Sequence, residues 1–139
     1  MTNNKITIKA RIAADKQKVW DYYTKPEHIT KWNFAADTWH CPSASNDMQV
    51  GGKYIVRMEA KDGSFGFDYE ATYNEIIVGE SYTYTMPDNR VVNVLFHENG
   101  NQTEITIIFD PENENPQELQ QQGWQAILDN FKRYVEDIV

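Results

Sequence analysis

The chain has 139 residues, 40% hydrophobic and 24% charged, with a formal net charge of -8; this predicts one globular domain over 1–139 with a genuine core. Apolar runs stop at two or three residues, far short of the ~20 of a membrane helix, and the acidic balance argues against a nucleic-acid footprint. The anomaly is aromatic: Trp 4, Tyr 8 and Phe 6 make 13% of a chain whose mean hydropathy is only -0.68.

Met1-Thr2-Asn3-Asn4-Lys5 lacks the apolar core of a secretory signal. The single cysteine, Cys41, cannot form an internal disulfide, so a cytoplasmic location is expected. Ile6, Ile8, Ala10 and Ile12 alternate with polar residues and predict a half-buried strand. Asp15 stands at an N-cap position before a helix with Val19, Trp20 and Tyr23 on one face. Pro26 ends that helix and starts a second, short one with Ile29 and Trp32 inward. Residues 33–52 show no sustained period and read as a long loop carrying Phe34, Trp39 and Met48, placed to act as a lid.

Turn signals then order a meander. Asp62-Gly63 as a two-residue loop pairs Met58 with Phe67, Val56 with Tyr69 and Tyr54 with Ala71, and sets Arg57 against Asp68 on the other face. Asn99-Gly100 treated likewise pairs Val94 with Ile105, Val92 with Ile107 and His97 with Gln102. Tyr82, Tyr84 and Met86 form a strand between the two hairpins, entered at Gly79 and left at Pro87-Asp88-Asn89. Asn115-Pro116-Gln117-Glu118 reads as an N-cap, a first-turn proline and a capping-box glutamate. After it, Trp124, Ile127, Leu128, Phe131, Val135 and Ile138 recur on one helical face. Gly123 inside that helix costs about 1 kcal/mol against alanine, for which close approach to the sheet would compensate.

The basic residues cluster early. Residues 1–33 hold seven Lys or Arg against three Asp or Glu, and residues 34–139 hold six against eighteen. Such a segment is ordinarily a solvated face, with docking of an acidic partner as the alternative.

This order of elements resembles the helix-grip fold of the START/SRPBCC superfamily. Val19-Trp20 followed by Pro26-Glu27-His28-Ile29-Thr30-Lys31-Trp32 is similar to the first helix pair of the heat-shock-protein-90 ATPase activator homologues. Gly51-Gly52-Lys53-Tyr54, Asn101 to Thr106, and Gly123-Trp124 with Leu128 and Phe131 resemble further segments of that family. Ala71 and Tyr82 depart from its pattern. The resemblance implies an α+β fold: a curved antiparallel sheet of about six strands wrapped around a long C-terminal helix, with two short helices after the first strand. It also implies an apolar cavity between sheet and helix.

Catalytic signatures are missing. Gly52-Lys53 lacks the upstream glycine of a phosphate loop, and His40-Cys41 has no further ligands for a metal. His28 and His97 read as surface residues, and Asp68 and Glu70 as structural carboxylates on the outer face. No catalytic residue, metal site or cofactor is expected. The leading reading is non-enzymatic binding of an apolar or aromatic small molecule. The candidate lining is Trp32, Phe34, Trp39, Tyr54, Val56, Met58, Phe67, Tyr69, Tyr82, Tyr84, Val94, Phe96, Trp124, Leu128 and Phe131. The alternative is an interaction module whose partner is a chaperone or another protein. A cyclase-type enzyme ranks third, because the register turns only tyrosine hydroxyls inward. Neither nucleic acid nor membrane is expected as a partner, and the chain is expected as a monomer or homodimer.

Overall fold

The computed structural model describes residues 5–137. Residues 1–4 and Ile138 of the helical stripe lie outside the described residues. The alternation of Ile6, Ile8 and Ile12 with polar residues produces β1 (Ile6–Ile12), with all three isoleucines buried. Asp15 is extended before α1 (Lys16–Thr24), although its side chain caps nothing; the helix buries Val19 and Trp20. Lys25, extended ahead of Pro26, divides α1 from α2 (Pro26–Trp32), which buries Ile29 and Trp32.

Six more strands follow: β2 (Trp39–Asn46), β3 (Lys53–Ala60), β4 (Gly66–Ile77), β5 (Ser81–Thr85), β6 (Val91–Asn99) and β7 (Gln102–Phe109). Every neighbouring pair is antiparallel, in the order β1-β7-β6-β5-β4-β3-β2. The long helix α3 (Gln117–Asp137) sets Leu128, Phe131 and Val135 into the core on the concave side of this curled sheet. This is the helix-grip arrangement, with two short helices after the first strand.

The sheet has seven strands where about six were expected, and the addition is β2, in the segment that reads as a loop. Pro42 and the run Ser43-Ala44-Ser45-Asn46 hide its alternation. A register irregularity between His40 and Ser43 carries the strand past the proline, and an edge position tolerates the missing donor. Residues 39–46 are therefore hydrogen-bonded sheet, not a lid.

The register inferred from Asp62-Gly63 holds residue for residue: Met58 faces Phe67, Val56 faces Tyr69 and Arg57 faces Asp68. The second hairpin is corrected by two residues. Val92 pairs with Phe109, Val94 with Ile107 and Phe96 with Ile105, and Asn99 pairs with Gln102, so the turn is Gly100-Asn101. Gly100 has φ +67°, and Asn89 is the only described non-glycine residue with positive φ. Positive φ at the first turn residue alone is the demand of a type II′ turn, which Gly-Asn meets and Asn-Gly does not. A shift of two leaves every side chain on its expected face.

The start of α3 also differs. The Pro116 carbonyl accepts from the Leu119 and Gln120 N–H groups, so the helix begins after the proline. The expected capping-box bond of Glu118 is not made; instead Glu112, in the loop ahead of the helix, accepts from the backbone N–H and the side-chain amide of Asn115. Gly123 makes no close approach: a Cβ there would meet nothing within 4 Å.

Candidate functional site

Between α3 and the β3–β4–β5 part of the sheet lies a cavity of about 270 Å³. Period-two alternation points Tyr54, Val56 and Met58 of β3 and Phe67 and Tyr69 of β4 into it, joined by Tyr84 of β5 and Ile107 of β7. Helical spacing brings Gln120, Trp124, Ile127 and Leu128 of α3 over them. Tyr23 of α1 and Trp32 and Asn33 at the end of α2 line the cavity as well. Arg90 and Glu112, from the β5–β6 and β7–α3 connections, add the charged groups.

Nine of the candidate residues thus line the cavity: Trp32, Tyr54, Val56, Met58, Phe67, Tyr69, Tyr84, Trp124 and Leu128. Six do not. Tyr82 and Phe96 face the concave side, but Trp20 of α1 covers both with edge-on rings at 5.9 and 5.1 Å. Val94 is buried in the same β5–β6 region. Phe131 is fully buried, packing edge-on against Tyr23 and Trp32 at 5.0 Å each. Trp39 packs against Phe65 and Phe67 at the β3–β4 hairpin, and Phe34 is half-buried just after α2. Pattern reveals which way a side chain points but not which helix lands on it. The concave face is split accordingly, filled by α1 on one side and open under α3 on the other.

Seven lining residues are absent from the candidate set: Tyr23, Ile107 and Ile127, which alternation and helical spacing already turn inward, and Asn33, Arg90, Glu112 and Gln120, which are polar and carry no periodic signal. Gln120, only 8% exposed, accepts from the Glu112 N–H at 2.9 Å. Its amide donates to the carbonyls of Asn115 at 2.8 Å and Glu112 at 3.1 Å. It therefore pins the β7–α3 loop to the first turns of α3. Arg90 Nε donates to Asp88 at 2.7 Å. The Asn115 side chain, helped by backbone N–H groups, holds the Glu112 carboxyl below its ordinary value. Its oxygens are engaged by Glu114, Asn115 and Gln120, an arrangement that fixes a loop and weakens a base.

Within the cavity wall, Asn33 Nδ2 donates to the Tyr54 hydroxyl at 3.3 Å, and the Tyr69 and Tyr84 hydroxyls share a 2.9 Å hydrogen bond. Burial first, then proximity to neighbouring phenols, raises the pKa values of Tyr23, Tyr54 and Tyr84. Burial also raises Tyr69, against its bond to Tyr84 and the nearby Arg90 charge. All four stay protonated at neutral pH, as donors rather than bases.

The other chemical candidates point elsewhere. Arg57 bridges Glu59 at 2.8 Å and Asp68 at 3.4 Å, and Lys53 lies 3.8 Å from Glu70, none of them in the cavity lining. His28 Nδ1 meets the Tyr134 hydroxyl at 2.7 Å, stacked on Tyr22, which ties α1, α2 and α3 together. His97 is exposed opposite Glu104. Cys41 is buried, donates to the Ser43 carbonyl, and has its thiol pushed up to about 11 by burial.

This geometry has close relatives. The family described as Activator of Hsp90 ATPase homolog 1-like protein matches residues 13–136. The chain belongs to that family. A solution structure of an AHSA1-like protein from Aeromonas hydrophila is 39% identical, with TM-score 0.91, covering 97% of this chain and 94% of its own. A protein from Cytophaga hutchinsonii is 45% identical, with TM-score 0.83 and coverages of 96% and 93%. A protein from Nitrosomonas europaea shares the fold at 16% identity, with TM-score 0.84 and coverages of 97% and 96%. No curated protein matches the chain. For this AHSA1-like member the helix-grip scaffold is therefore shared. No described helix is long and apolar enough to cross a membrane.

Proposed function

We propose that this AHSA1-like chain binds an apolar, aromatic small molecule in the cavity between β3–β5 and α3. The carrying observation is the cavity itself. Protein interiors are close-packed, and this one is packed to zero exposure at Ile12, Val19, Phe109 and Phe131, yet about 270 Å³ stays open beside them. Its wall joins aromatic and aliphatic surface to a few polar groups, the usual anatomy of a small-molecule site. A wall built on paired strands and a pinned helix is formed before the ligand arrives. Native mass spectrometry of freshly purified protein tests the reading. A ligand of small-molecule mass that dissociates on collisional activation supports it; bare protein that takes up no member of an aromatic panel removes it.

A second reading has its own observation. Phe65 at 60% exposure and Phe67 at 40% cluster with Trp39 at the β3–β4 tip, an apolar group suited to a protein partner such as a chaperone. Stimulation of a chaperone ATPase that is lost in Phe65→Ser would support this reading; no complex at micromolar concentration would remove it.

A further inference from the structure

Hydrogen-bond bookkeeping in the cavity wall narrows the ligand's chemistry. A phenol oxygen accepts, and its one proton donates. The Tyr54 oxygen already accepts from Asn33, which leaves the Tyr54 proton to be placed. In the Tyr69–Tyr84 pair one hydroxyl donates to the other, so one proton is left over. Tyr23 lines the cavity, stacks its ring on Trp32 at 4.8 Å, and makes no hydrogen bond through its hydroxyl among the described residues. Three O–H protons on cavity-lining tyrosines are therefore left without a protein acceptor among the described residues.

Charge sorts what could accept. Among the described residues the cavity lining holds one cation, Arg90, and its Nε is bound to Asp88, with Glu112 also in the lining. A carboxylate there would meet a guanidinium whose charge Asp88 already pairs, with the Glu112 carboxylate in the same lining, and so loses more solvation than these donors return. A neutral carbonyl oxygen accepts from the same donors without that penalty. For size, a cavity near 150 Å³ holds one benzene ring, so about 270 Å³ corresponds to roughly two fused rings.

We infer that the ligand is a neutral two-ring aromatic bearing a carbonyl, its oxygen held by the hydroxyls of Tyr23, Tyr54 and the Tyr69–Tyr84 pair. This rests on the cavity-binding reading above and adds the ligand's polarity and charge.

Three probes and two variants test it. 2-Acetylnaphthalene carries the carbonyl, 2-isopropenylnaphthalene is its hydrocarbon match in shape, and 2-naphthoate is the anion. Dissociation constants come from NMR titration at pH 7 with the wild-type chain, Tyr23→Phe and Tyr54→Phe. Tyr23→Phe removes no protein hydrogen bond, so it folds with its ring in place. Each variant is expected to weaken the ketone about five- to tenfold, the worth of one hydrogen bond, while leaving the hydrocarbon unchanged. Naphthoate is expected to bind more weakly than the ketone. Ketone affinity indifferent to both substitutions, or naphthoate binding tightest, overturns the inference while leaving the cavity reading intact. If no probe binds at all, both fall.

Discussion

Gly123 sits within α3, where a Cβ would meet nothing, so no packing reason opposes a side chain there. Gly123→Ala is expected to stabilise the chain by about 1 kcal/mol and to raise its melting temperature by about 3–5 °C in a thermal scan. A loss of stability would mean that the glycine serves a contact absent from this structure. Tyr82 teaches the complementary lesson. As a departure from the family pattern it is a natural suspect for filling the cavity, yet it is packed under Trp20 and outside the lining. Alternation placed it on the concave face correctly and was silent about α1. Arg90, Glu112 and Gln120 escaped pattern reading for another reason: they lie in turns or on a polar helical position, where no periodic signal marks them.

Among the elements, β1 shows how a sheet edge is closed. On the side away from β7, the carbonyls of Lys9 and Arg11 accept from Gln125 and Lys132, and the Ala13 N–H just beyond the strand donates to Glu136. Side chains of α3 thus occupy the groups that would template a further strand. The β6–β7 hairpin yields a sharper test. Register reasoning succeeded at Asp62-Gly63, where the opposed Arg57 and Asp68 confirm it, and slipped by two at Asn99-Gly100 because both registers keep the same residues inward. The observed turn requires positive φ at Gly100 alone, in open space, so the penalty of a side chain there comes from the backbone. Gly100→Val is expected to lose about 1–2 kcal/mol in denaturant unfolding. Asn99→Thr, in a paired strand position, is expected to lose nothing; an equal loss at Asn99 would restore the Asn-Gly turn. The β2 strand was illegible for lack of alternation, since its small polar residues and Pro42 look like loop until β3 is beside them.

The whole molecule is a tyrosine-lined grip, and this sets its response to alkali. Tyr23, Tyr54, Tyr69, Tyr73, Tyr82 and Tyr84 all have pKa values raised above the ordinary phenol value, with burial as the leading cause. Above pH 10 the unfolded chain gives up phenolic protons that the folded chain retains, so the native state binds more protons and stability falls with rising pH. Below that point these groups leave stability flat. Ultraviolet titration is expected to show these six phenols ionising together, in step with loss of near-ultraviolet circular dichroism. Gradual ionisation of all eight tyrosines without unfolding would contradict that burial. The helix-grip order, the direction of the cavity wall and nine lining residues were legible from alternation, turns and helical spacing. The division of the concave face between α1 and open space was not, because tertiary contact decides it. The central claim is that this open space takes up an aromatic molecule. It is tested most directly by methyl NMR during titration with 2-isopropenylnaphthalene. Saturable shifts at Met58, Ile107, Ile127 and Leu128, with Ile12 and Val19 unmoved, are predicted. Shifts absent at those four methyl-bearing residues, or confined to residues beside Phe65, would contradict it.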